Sequence, residues 1–291
     1  MKKDRFLLLL QGLEQIGVAK EELLKILNLD ENILDLLASV NLMELNEYVN
    51  IIELYPLANY NLREIIMILR NAKHFCVTAD VLTNKRLIQE GGILDGARIV
   101  NESREYFNAK YASQVLMDEG AVRSGIALEG AKIINESKEY FNAKYASRVL
   151  TDVGAIKSGI ALDGAKIINE SENEFNADYA SRVLTDIGAI KSGIALEGAR
   201  IVNDSKEYFN AKYASEFLLN EEALELGNAV TFATKINEFK HAFECQDLID
   251  YSGIYKQKKD YNFGDFISSV ECENSDDINV DEFVKRLIPR K

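Results

Sequence analysis

Four consecutive stretches of this chain, opening at Leu94, Leu128, Leu162 and Leu196, repeat one another at an offset of 34 residues. The first reads LDGARIVNESREYFNAKYASQVLMDEGAVRSGIA. Asn101, Asn135, Asn169 and Asn203 fall in register, as do Tyr111, Tyr145, Tyr179 and Tyr213. A unit this short cannot bury its own apolar face. It folds by stacking on its neighbours, which restricts the chain to an array of like parts. Weaker copies extend the pattern at both ends. Val81-Leu82-Thr83-Asn84 matches Val149-Leu150-Thr151-Asp152, and Ala233, Asn237 and Phe243 match Ala199, Asn203 and Phe209. Divergent end copies are expected, since each end covers a core that no neighbour covers, and about six units span residues 60–250.

The unit reads as helices. In the second copy, Asn142 is a good N-cap, with Phe141 before it positioned to staple onto Ala146. From there Tyr145, Ala146, Val149 and Leu150 share one face of a helix B, and Lys144, Ser147, Arg148 and Thr151 share the other. Asp152 can cap a further turn carrying Ala155 and Ile156, which ends at Ser158-Gly159. A helix A then runs from Ile160 to about Glu170, burying Ala161, Ala165, Ile167 and Ile168 and exposing Asp163, Lys166 and Glu170. One continuous helix from Asp152 to Glu170 also fits the helical period. A glycine inside a helix costs about 1 kcal/mol relative to alanine, which favours a break at Gly159. Helix A carries a second repeated glycine (Gly96, Gly130, Gly164, Gly198), each followed by alanine, where another backbone is expected to pack closely.

Length and two-helix pattern resemble the tetratricopeptide and Sel1-type repeats, and a three-piece reading of the unit resembles armadillo or HEAT units. The resemblance covers residues 60–250 in architecture. The tetratricopeptide signature of tryptophan, glycine–tyrosine and closing proline is absent. What the resemblance implies is an all-α, right-handed α-solenoid of tandem 34-residue repeats with divergent N- and C-terminal caps, whose inner helices bind peptides or protein surfaces. The expected division is an N-terminal helical cap over 1–59, the repeats over 60–250, and a C-terminal tail or cap over 251–291. In that last part Val280 to Ile288 is expected to form a short helix.

Composition narrows the function. Net charge is −13, and each third of the chain is itself acidic, which argues against a large nucleic-acid face and against anionic membranes. The three cysteines, Cys76, Cys245 and Cys272, are scattered and odd in number, as expected of reduced thiols in a cytoplasmic protein. The apolar run Leu7 to Leu10 stops at Gln11 without a small-residue cleavage site, and no stretch approaches the ~20 apolar residues that span a bilayer.

Residues Gly17 to Asn32 resemble the first helix and turn of a helix-turn-helix. The resemblance implies a ligand-sensing transcriptional regulator, with a DNA-reading module ahead of a helical-repeat sensor. The expected second helix, Asp30 to Leu37, holds no lysine or arginine for phosphates and base edges, so an N-terminal cap is the preferred reading. His74 with Cys76, and His241 with Cys245, are too few and too separated for a four-ligand structural metal site. The carboxylates recur with the repeat and face lysines and arginines. A general acid needs an environment unlike its neighbours', so no catalytic residue and no cofactor is assigned. The recurrent Asn101, Asn135, Asn169 and Asn203 have two accounts: a clamp on a bound peptide, or a structural amide satisfying carbonyls of the Glu-Ser-Lys-Glu loop that follows. The structural account is preferred.

The units differ where helix B is expected to be exposed. One column reads Lys110, Lys144, Asp178, Lys212; the next reads Gln114, Arg148, Arg182, Glu216; a third reads Met117, Thr151, Thr185, Leu219. Ser113, Ser147, Ser181 and Ser215 lie between them. Drift on an idle surface accounts for this as well as binding does. The binding account assigns the first two columns to a protein or peptide partner. It predicts a basic spot at Lys144, Arg148 and Arg182 that suits an acidic segment.

Overall fold

The computed structural model describes residues 3–18, 26, 29, 31–58 and 62–241. The chain divides into two units, Met1–Phe239 and Lys240–Lys291. The predicted C-terminal tail and its short helix, Cys245 and Cys272, and most of the first helix of the helix-turn-helix resemblance lie outside the described residues. Everything regular within them is helical, with no strand. The N-terminal part contributes α1 (Lys3–Gln15), α2 (Glu31–Leu37), α3 (Leu42–Ala58), α4 (Leu62–Arg70), α5 (Phe75–Leu82) and α6 (Lys85–Gln89).

From there the same three elements follow one another: a one-turn short helix, an A helix and a B helix. The A helices are α7 (Ile93–Glu102), α10 (Ala127–Asn135), α13 (Ala161–Asn169), α16 (Ala195–Asn203) and α19 (Ala229–Ile236). The B helices are α8 (Tyr106–Met117), α11 (Tyr140–Leu150), α14 (Glu174–Thr185) and α17 (Tyr208–Leu218). The short helices are α9 (Glu119–Arg123), α12 (Val153–Lys157), α15 (Ile187–Lys191) and α18 (Glu221–Glu225). Helices α10, α13 and α16 each pack on the B helices before and after them, and each class of helix packs on its own kind in the next unit.

The break at Gly159 is real. Ser158 closes α12, Gly159 takes φ +78°, and α13 begins at Ala161. The Ile160 N–H returns to the Ala155 carbonyl at 3.0 Å, closing the left-handed C-cap that glycine permits. The Asp152 side chain accepts from the Ala155 N–H at 2.8 Å, as its cap position requires. Each unit therefore has three helices. The predicted burial of helix A holds: Ala161, Ala165, Ile167 and Ile168 are buried, while Asp163, Lys166 and Glu170 are exposed, with Asp163 and Lys166 3.6 Å apart.

Three local expectations are corrected. Asn142 does not cap helix B; α11 starts at Tyr140, after Glu139, and Asn142 is its third residue and buried. Its side-chain oxygen accepts from the Glu139 N–H at 3.3 Å. Its amide donates to the carbonyls of Ile168 at 2.9 Å and Ser171 at 3.0 Å, closing the end of the next A helix. Phe141, inside the helix, cannot act as a staple before it. Secondly, Ser113, Ser147, Ser181 and Ser215 are buried rather than exposed, each hydroxyl turned onto the carbonyl three residues back. Serine is small enough to let neighbouring B helices meet there. Thirdly, what crowds Gly164 is side chain and not backbone. A Cβ there would stand 3.0 Å from both Val149 Cγ1 and Leu184 Cδ2, on the two flanking B helices.

Asn135, Asn169, Asn203 and Asn237 hold consecutive units together. The Asn135 amide donates to the Ile99 carbonyl at 2.6 Å and its oxygen accepts from the Ser103 hydroxyl at 2.6 Å. Asn169 does the same with Ile133 and Ser137, Asn203 with Ile167 and Ser171, and Asn237 with Ile201 and Ser205. Asn101 accepts from the Lys73 N–H at 2.6 Å. The amide is structural, and it reaches back to the preceding unit instead of forward into its own loop.

Candidate binding face

The binding-face residues belong to the B helices, whose buried stripe fixes what is left outside. Ala143, Ala146, Val149 and Leu150 are fully buried in α11, and Ala177, Ala180, Val183 and Leu184 in α14. That orientation turns Lys144, Arg148, Asp178 and Arg182 outward. Lys110, Gln114, Arg148, Arg182 and Glu216 are exposed; Lys144, Asp178 and Lys212 are half-buried. Thr151 and Thr185, half-buried, bond back to the carbonyls of Ser147 and Ser181 at 2.9 Å and so are occupied by their own helices.

The basic spot exists in position but not as free charge. Asp178 lies between its two arginines, 3.8 Å from Arg148 of the preceding unit and 2.5 Å from Arg182 one turn on. Lys144 stands 4.0 Å from Glu174 and donates to the Tyr145 hydroxyl at 3.2 Å. Those contacts hold the Lys144 ammonium above its usual value, chiefly through the Tyr145 hydroxyl. Arg182 is held likewise by Asp178. The cluster thus carries three cations against two carboxylates. Lys212 and Glu216 pair at 3.9 Å, and the Lys110 ammonium lies 5.6 Å from the centre of the Tyr111 ring.

Aromatic rings form the floor. Tyr111, Tyr145 and Tyr179 are buried under the cations of their own helices, with Lys144 4.5 Å and Arg182 4.8 Å from the ring centres of Tyr145 and Tyr179. The Tyr111 hydroxyl donates to the Tyr140 hydroxyl at 2.8 Å and the Tyr179 hydroxyl to that of Tyr208 at 2.9 Å, each pair linking neighbouring units. Burial first, and the hydrogen bond second, raise the Tyr111 phenol and push that of Tyr179 up to about 12. In the third unit Glu174 replaces this partner tyrosine. Tyr106, Tyr140 and Tyr208 are 62%, 49% and 56% exposed, so each sets an open aromatic ring beside the charged columns. Sequence reasoning passes over these three; their signal is the copied tyrosine that changes only once, to Glu174.

Elsewhere the chemistry is sparse. Among the described residues no group of three His, Cys, Asp or Glu side chains could hold a metal ion. His74 Nε2 lies 3.2 Å from the Ser103 carbonyl oxygen, and Cys76 is an exposed thiol. Helix α2 buries Ile33, Leu34 and Leu37, and its exposed residues, Glu31 and Asn32, include no cation. No helix among the described residues is long and apolar enough to cross a membrane. No family model, curated protein or solved structure matches the chain.

Proposed function

We propose that the chain is a right-handed α-solenoid serving as a non-catalytic scaffold, which binds a protein or peptide along its B helices. The contact residues are Lys110, Gln114, Lys144, Arg148, Asp178, Arg182, Lys212 and Glu216, with Tyr106, Tyr140 and Tyr208 beside them. One observation carries this reading. Most of the residues copied from unit to unit are buried or bonded between units, while the B-helix columns that vary, Lys110 to Lys212 and Gln114 to Glu216, face outward beside the open tyrosines. A surface lined by exposed aromatic rings and both signs of charge has the composition of a recognition surface.

The pairing of Asp178 with both arginines refines the partner. A carboxylate arriving at Arg148 or Arg182 competes with one already present, so discrimination arises from exchanging ion pairs, and apolar contact with the open tyrosines supplies affinity. Acidic segments that also carry aromatic or aliphatic residues fit best.

The test is affinity capture from the native host by the full chain and by Lys144→Gln/Arg148→Gln/Arg182→Gln, compared by quantitative mass spectrometry at matched thermal midpoints. A partner held by the first and lost from the second supports the B-helix face. A partner retained equally by both removes that face from the reading.

A further inference from the structure

The short helices supply a second surface. They pack in a row, α6 to α9 to α12 to α15 to α18. Within the row Ile156 seats its Cδ1 over Gly120 and Ile190 over Gly154, where an added Cβ would come within 3.2 Å. The first residue of each of α9, α12, α15 and α18 is exposed. In α9 that residue is Glu119, which pairs with Arg123 one turn on at 2.6 Å and with Arg86 of the preceding short helix at 2.9 Å. In α18 it is Glu221. An acidic residue is what a helix start favours. In α12 and α15 the position holds Val153 and Ile187, 57% and 63% exposed. Their partners one turn on, Lys157 and Lys191, are exposed, and neither forms an ion pair among the described residues. Two adjacent units therefore set a β-branched apolar side chain and an unneutralised lysine in water, where the units on either side set carboxylates. A glutamate takes the same backbone position in α9, so the backbone there does not demand an apolar residue.

We propose that the ridge formed by Val153, Lys157, Ile187 and Lys191 is a docking site for an acidic amphipathic helix of another protein. A helix laid along the row sets its apolar stripe on Val153 and Ile187, and a neighbouring stripe of Asp or Glu on Lys157 and Lys191. Charge selects this occupant. Two copies of this chain meeting antiparallel through the ridge would oppose Lys157 to Lys191 and Glu119 to Glu221. A parallel pair would set each apolar side chain against a lysine. The same two lysines would attract an anionic membrane, so phosphatidylserine vesicles form one arm of the test.

The experiment pans a displayed library of randomised helical peptides on the full chain, and measures the affinity of the enriched peptides for three variants. Val153→Glu/Ile187→Glu restores the residue type that α9 and α18 carry, so it keeps the fold. Lys157→Glu/Lys191→Glu reverses the charge, and Lys144→Gln/Arg148→Gln/Arg182→Gln alters only the B-helix face. The expected result is a consensus of aliphatic and acidic residues at helical spacing. Those peptides should bind both ridge variants at least tenfold more weakly and the B-helix variant unchanged. Four results overturn the proposal: no enrichment, a consensus without acids, equal binding by the ridge variants, or dimerisation or phosphatidylserine-vesicle binding that the ridge variants abolish.

Discussion

The side-chain amide of Asn169 donates to the backbone carbonyl of Ile133, 36 residues earlier, at 2.7 Å. Its oxygen accepts from Ser137 at 2.6 Å, so one amide uses its donor and its acceptor on the same preceding unit. Aspartate matches asparagine in shape but cannot donate, and sets a negative charge against the carbonyl. Asn169→Asp is therefore expected to destabilise at least as much as Asn169→Ala, by about 2–3 kcal/mol in urea unfolding. If Asn169→Asp unfolds at the wild-type urea concentration, the donor is not what joins the units.

The two repeated glycines serve different ends, and alanine separates them. At Gly159 an added Cβ meets nothing within 4 Å, so the whole penalty is the backbone's, φ +78° being disfavoured for any residue with a side chain. Gly159→Ala should lower stability by about 1 kcal/mol. Gly164 has helical backbone, where alanine alone would be a gain, yet its Cβ would press on Val149 and Leu184. Gly164→Ala should lower stability through overpacking, by about 1–3 kcal/mol. Pairing each with Val149→Ala tells them apart, since only the Gly164 penalty is relieved by making room.

The charge at Asp178 gives a salt-dependent prediction. Arg148→Gln/Arg182→Gln removes exposed ion pairs and should change stability by no more than about 1 kcal/mol. Arg148→Glu/Arg182→Glu gathers three carboxylates in one place, and its thermal midpoint should fall further and recover as sodium chloride screens the repulsion. A glutamate variant indifferent to salt would mean that Asp178 does not sit between the two side chains in solution.

Alkaline pH should loosen the array through its tyrosines. The Tyr179 phenol is pushed up from 10.0 to about 12 in the folded chain, so its neutral form is the one the fold favours. The stability this supplies is complete below pH 10 and is lost as pH rises towards 12. Absorbance at 295 nm should show tyrosines ionising late in the folded protein, and Tyr179→Phe should reduce that late fraction. Uniform titration near pH 10 would contradict the buried hydroxyl pair.

Much of this was legible in the sequence, and the misses have one cause. The break at Gly159 and the Asp152 cap could be read because both depend on residues within a few positions. Asn142 misleads because asparagine at the front of a helix is a good cap, while its partners, Ile168 and Ser171, belong to the next unit. A finer signal was present. The true cap of the short helix alternates freely as Asn84, Asp118, Asp152, Asp186 and Asn220, since either side chain can accept a hydrogen bond. Asn108, Asn142, Asn176 and Asn210 never become aspartate, as expected of a buried amide whose donors are used. The neutralisation of the basic spot is hidden from the sequence for the same reason. Asp178 stood in the column of candidates, but its distance to Arg148 depends on how two units stack.

Because Asn135, Asn169, Asn203 and Asn237 make the same pair of bonds, these four joints between units are interchangeable with one another. A gene carrying near-identical 34-residue segments can gain or lose one by unequal recombination, and the protein that results needs no new interface. Length is then the trait that varies most easily, and with it the number of residues each outward-facing column offers a partner. The column Lys110, Lys144, Asp178 and Lys212 shows how such copies diverge on their outward side while the asparagine joints stay the same.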